Sequence, residues 1–150
     1  MYKNSFVHYA TKVLVDIMFY GGIVCCIAVP FLLPSISGFF GYSPDMLKPY
    51  TVILILSGLC ALYILWQLKE IFKTLLGGNP FVEKNVDCLR KCSVASFLIA
   101  LIYLIKISLW FTIASSVIVI IFALLGLFSL TLKDVFKQAL SYKEENDWTV

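Results

Sequence analysis

The chain has 150 residues, 61% of them hydrophobic and only 14% charged, with a formal net charge of +3. A soluble domain of this length carries about 25% charge, so the composition excludes an ordinary soluble protein. The positive balance forms no clustered basic stripe, so no direct nucleic-acid contact is expected.

Four apolar stretches follow in chain order, at residues 13–33, 50–68, 94–109 and 116–132. A helix needs about 20 apolar residues to cross the hydrocarbon core of a bilayer, and only the third stretch falls slightly short. Backbone groups in lipid must bond within their own segment, which excludes open sheets, and no alternation suggests a barrel. The expected fold is an all-α membrane protein: a single four-helix transmembrane domain over residues 1–150.

Lysine and arginine set the orientation. Lys3 and Lys12 precede the first stretch; Lys69, Lys73, Lys84, Arg90 and Lys91 lie between the second and third; Lys133, Lys137 and Lys143 follow the fourth. Only Lys48 and Lys106 belong to the other side. Both termini, the elbow (69–93) and the tail (133–150) are therefore expected to be cytoplasmic, in a bacterial cytoplasmic membrane. The first stretch is longer than a signal h-region, carries Asp16 and lacks a small-x-small cleavage site, so the N-terminus is expected to be retained.

Along the first helix, Asp16 is the only acid inside a predicted span. It has two readings: an interfacial pair with Lys12 four residues earlier, or a functional intramembrane carboxylate. Gly21 with Cys25, and Gly22 with Cys26, are small-xxx-small pairs suited to close helix packing. Pro30 and Pro34 are expected to kink or end the outer half. The outer loop 34–49 carries Phe39, Phe40, Tyr42 and Met46, aromatic and apolar groups suited to the headgroup region.

The second helix ends in Leu68-Lys69-Glu70-Ile71-Phe72-Lys73, and the fourth in Leu132-Lys133-Asp134-Val135-Phe136-Lys137. The apolar positions of both follow i, i+3, i+4, i+7, i+8, one face of a helix. Helices 2 and 4 are thus expected to continue as amphipathic cytoplasmic extensions, making the chain two parallel hairpin repeats. Gly77-Gly78 is expected to cap the first extension, with Asn79 as the next N-cap and Pro80 at the first helical position. Phe81-Val82 would staple this turn to the membrane surface, and Asp87 and Lys91 would pair at i, i+4.

Lys106 is the only base within an apolar run. Near the outer end of helix 3, it is expected either to snorkel to the headgroups beside Tyr103 and Trp110 or to contact an ion or lipid. The tail Lys143-Glu144-Glu145-Asn146-Asp147-Trp148-Thr149-Val150 either docks, on a partner or on the elbow, or stays solvated; Trp148 has the character of a binding anchor.

No nucleophile motif, zincin pair, phosphate loop or carboxylate dyad is present, so no catalysis and no cofactor are expected. Five cysteines imply no disulfide framework on the cytoplasmic side. Cys88 and Cys92 lie one turn apart and read as packing residues, the competing reading being a metal half-site in a dimer.

The middle segment Leu75-x-x-Gly78-Asn79-Pro80-Phe81-x-x-x-Asn85-x-x-x-Leu89-Arg90 and the tail 144–150 resemble a bacterial membrane family of unknown function, domain family number 2975. Trp148 stands where the family commonly has Leu. The resemblance implies a four-helix inner-membrane protein with no assigned activity. It also implies gene neighbours of the small helix-turn-helix regulator type.

Together these readings suggest a non-enzymatic protein that binds a cytoplasmic partner, such as a transcription regulator. The contacts expected are Gly78, Asn79, Pro80, Phe81, Asn85 and Arg90 of the elbow, with Glu145, Asp147 and Trp148 of the tail. One alternative is a small transporter or channel, as a homo-oligomer, using Asp16 and Lys106. Another is an immunity or stress protein acting through Gly21 and Gly22.

Overall fold

A computed structural model describes residues 6–39 and 44–148. It contains four helices: α1 (Phe6–Ser37), α2 (Pro44–Leu76), α3 (Glu83–Leu109) and α4 (Ile113–Trp148). All four are long and apolar enough to cross a membrane, which makes the chain a multi-pass membrane protein in contact with a lipid bilayer. The aromatic loop residues Phe40 and Tyr42, and Thr149-Val150 of the tail, lie outside the described residues.

The helices are longer than their apolar runs. α1 passes through Pro30 and Pro34 without ending and stops at Ser37, whose hydroxyl donates to Pro34 O at 2.8 Å. α2 and α4 continue unbroken through the matched segments beginning at Leu68 and Leu132. Both therefore carry a helical extension beyond the apolar core.

The turn after α2 ends as its glycines require. Gly78 adopts φ of 81°, a conformation that side chains disfavour. The amides of Gly77, Gly78 and Asn79 then donate to the carbonyls of Lys73, Leu75 and Thr74, which a helix end would otherwise leave unpaired. The expected N-cap at Asn79 is not formed. α3 starts at Glu83, and extended Val82 (φ −135°, ψ 149°) occupies the cap position without a side-chain bond. The reason is local: Asn79 accepts a hydrogen bond from Lys143 of α4, and the carbonyl of Pro80 is taken by the buried side chain of Asn85.

Spatial order follows chain order. α1 packs on α2, α2 on α3 and α3 on α4; among the described residues no Cα of α1 comes within 8 Å of α3 or α4. The bundle is therefore open, with α3 at its centre and α1 held by α2 alone. The inward stripe of α3 repeats every seven residues through Asn85, Cys92, Ile99 and Lys106, a coiled-coil-like seam. Between them lie the small buried residues Cys88, Ala95, Ser96 and Ala100. Lipid tails are as apolar as leucine, so helices here associate through close packing of small residues and not through hydrophobic exclusion.

Three glycines mark the closest approaches. A Cβ at Gly22 would lie 2.8 Å from Leu62, at Gly58 2.6 Å from Cys26 Sγ, and at Gly126 2.9 Å from the Phe97 ring. Gly22 and Cys26 thus lie at the α1–α2 contact, whereas Gly21 has nothing within 4 Å of where its Cβ would be, because it faces away from α2.

Candidate functional site

Most of the polar chemistry gathers at one end of the bundle, where the elbow between α2 and α3 meets the extension of α4. Asn85 is fully buried there. Its Oδ1 accepts from Thr74 Oγ1 at 2.8 Å, and its Nδ2 donates to Pro80 O at 2.6 Å. Both halves of a buried amide are thus satisfied, and the extended segment 79–82 is pinned to α2. An ion pair between Glu70 and Lys84 adds a second tie between α2 and α3. The Lys84 ammonium holds the Glu70 carboxyl below the usual carboxylate range. Further along α3, Lys91 and Asp87 pair at 2.7 Å, as the i, i+4 spacing leads one to expect.

The elbow also leans on α4. Lys143 Nζ donates to Asn79 Oδ1 at 3.0 Å, and the Phe81 and Phe136 rings meet with centroids 5.3 Å apart and planes tilted by 56°. Phe81 thus staples the turn to α4, where the sequence suggested the membrane surface. Of the expected contact residues, Gly78, Asn79, Phe81 and Arg90 are exposed, Pro80 is half-buried, and Asn85 is spent inside the elbow. Glu145, Asp147 and Trp148 extend from the same end on the last turns of α4, which remain helical to Trp148. Trp148 is 89% exposed and does not fold back onto the elbow.

Two polar clefts open at this end. One, about 330 Å³ between α1 and α2, is lined by Lys12, Asp16, Lys69, Glu70 and Lys73. The other, about 630 Å³ between α3 and α4, is lined by Glu83, Asp87, Arg90, Lys133, Lys137 and Glu144 beside Val86 and Leu140. In the first, Asp16 pairs with Lys69 at 2.9 Å, across the helix interface. The expected pair with Lys12 is replaced because α2 brings Lys69 into a cage. Its ammonium also sits 4.7 Å from the Phe19 ring centroid and 4.9 Å from that of Tyr20. In the second cleft Lys133 contacts its neighbour Asp134 at 3.1 Å, while Arg90 and Lys137 make no ion pair among the described residues.

At the opposite end, Lys106 is turned inward and only 3% exposed, so it does not snorkel to the headgroups. Its ammonium donates to Thr112 Oγ1 at 2.9 Å and to Ser115 Oγ, and it lies 5.5 Å from the Tyr50 ring centroid. The cause is the short α3–α4 turn, which presents the hydroxyls of Thr112, just before α4, and Ser115, in its first turn, directly over Lys106. The spacing of Thr112 and Ser115, one turn apart, was a readable signal that the sequence reading passed over.

Cys88 and Cys92 are both buried, and burial pushes the Cys92 thiol up to about 11. Both serve as small residues on the packed face of α3.

A family model described as "Protein of unknown function (DUF2975)" matches residues 7–150. The match runs through both the elbow and the tail that carry the resemblance read from the sequence. No curated protein and no solved structure matches the chain.

Proposed function

The chain belongs to this DUF2975 family of unknown function, and on that premise we propose that it is a non-enzymatic membrane protein that binds a cytoplasmic partner through the elbow end of the bundle. The positive-inside bias supports a cytoplasmic position for this end and for both termini. One observation carries the reading. The elbow is tied to α2 through Thr74–Asn85 and to α4 through Lys143–Asn79, so both hairpins converge on one exposed edge. A change in tilt of either hairpin within the bilayer then alters that edge. Asn79 and Phe81 on the elbow, with Glu145, Asp147 and Trp148 beyond it, form the contact. The partner is a soluble protein, such as the small helix-turn-helix regulator that the family resemblance suggests. The matched ends of α2 and α4 make the two hairpins a parallel repeat, which lets the elbow report on both.

The test is crosslinking and affinity capture from native membranes, comparing the intact chain with one lacking residues 144–150. A soluble partner held only by the intact chain supports the reading; equal capture by both forms refutes the role of the tail. A small transporter is the second reading, favoured by the buried cation Lys106. It requires a water path to that ammonium, which aqueous thiol labelling of a cysteine at position 106 would detect.

A further inference from the structure

We infer that the cleft between α3 and α4 seats the phosphate of an anionic lipid headgroup, held by Arg90, Lys133 and Lys137. These three cations line one cleft of about 630 Å³. Lys133 directly follows the apolar run that ends at Leu132, and Arg90 stands four residues before the run that begins at Val94. All three therefore sit where the helices leave hydrocarbon, the level at which lipid phosphates lie. Basic pockets between membrane helices at this depth are suited to acidic headgroups.

The charge in the cleft is graded along its length. Glu83 and Glu144, which also line it, lie seven residues beyond Arg90 and Lys137 respectively, roughly 10 Å further from the bilayer. Asp87 is engaged by Lys91 at 2.7 Å. The basic end thus opens toward the lipid, and an acidic rim faces the water. A lipid phosphate enters from the bilayer side without passing that rim, whereas a free anion in solution is repelled by it. This gradient commits the site to a lipid.

The other cleft supplies the contrast. Its Lys69 and Lys73 match Lys133 and Lys137 in the repeated segments, but Asp16 already neutralises Lys69 at 2.9 Å. In the α3–α4 cleft Lys133 likewise meets Asp134 at 3.1 Å, but α3 contributes Arg90, and neither Arg90 nor Lys137 has an ion pair among the described residues. Two similar clefts at one end of the bundle therefore differ in their third cation: the planar guanidinium of Arg90, shaped to bond a phosphate through two N–H groups, in one, and the ammonium of Lys12 in the other.

The full chain, reconstituted in vesicles of four parts phosphatidylcholine to one part phosphatidylglycerol and then extracted in mild detergent, provides the test. Native mass spectrometry counts the phosphatidylglycerol retained. The double variant Arg90→Gln/Lys137→Gln is expected to lose retention by roughly fivefold per removed charge. Each single variant should lose about half of that effect on a logarithmic scale, and Lys12→Gln/Lys73→Gln in the other cleft should keep it. Undiminished retention by the double variant, or equal loss from Lys12→Gln/Lys73→Gln, overturns the inference. Displacement of the lipid by millimolar inorganic phosphate also overturns it, by assigning the seat to a soluble anion. The inference does not rest on the partner reading, whose test removes Glu144 of the rim with the rest of residues 144–150 but leaves all three cations in place.

Discussion

The hydroxyl of Thr74 on α2 donates to the amide oxygen of Asn85 on α3 at 2.8 Å, and this bond closes the turn on which the elbow end depends. It spans only eleven residues of chain, yet it fixes the angle at which one hairpin hands over to the next. Asn85 reaches further, to Pro80 O, and so also determines where α3 begins.

Asn85→Ala leaves the Pro80 carbonyl without its donor, while the Thr74 hydroxyl keeps Ile71 O at 2.8 Å, and is expected to cost about 1–3 kcal/mol. Thr74→Val leaves the buried Asn85 Oδ1 without its donor and should also cost about 1–3 kcal/mol, although the Asn85–Pro80 bond stays intact. Thermal unfolding of the purified protein in detergent measures both. Equal melting of Asn85→Ala and the parent chain would show that the elbow is held by other contacts.

Lys106 is a buried cation served by two hydroxyls and an aromatic face. Lys106→Met keeps the length of the side chain and drops the charge; it is expected to lie within about 1 kcal/mol of the parent, because the desolvation relieved offsets the attraction lost. Lys106→Ala empties the site and should cost about 2 kcal/mol or more. Unfolding midpoints distinguish these outcomes: if Met is as damaging as Ala, the charge itself secures the α3–α4 turn.

Gly126 and Gly21 make a matched steric pair. Gly126→Val drives its Cβ to within 2.9 Å of the Phe97 ring, and overpacking of this kind costs typically about 1–3 kcal/mol. Gly21→Val meets nothing within 4 Å and should leave the melting temperature unchanged. Chemical crosslinking in membranes adds a second readout, since loss of a dimer band in Gly21→Val with unchanged stability would assign Gly21 to contact between two copies.

Several features were legible because they depend on neighbours in sequence. The apolar runs gave the four helices, Gly77-Gly78 gave the end of α2, and the spacing of Asp87 and Lys91 gave their pair. The periodicity after Leu68 and Leu132 likewise gave the extensions of α2 and α4. The partners of Asp16 and Asn79 were not legible, since each lies on another helix, Lys69 and Lys143, whereas those of Lys106, Thr112 with Ser115, follow it closely in the chain.

The sequence by itself determined that this is an all-helical chain of four membrane-crossing segments, because hydrophobic run length is matched against bilayer thickness one segment at a time. Which helix lies at the centre was decided only by the tertiary structure. α3 has the shortest apolar run, yet its small residues allow α2 and α4 to approach it from both sides, which leaves α1 on the margin. The fate of the polar groups was decided there too. Asp16 takes the partner that packing of α1 on α2 brings within about 3 Å, whereas Asp87 and Lys91 pair through the spacing of their own helix.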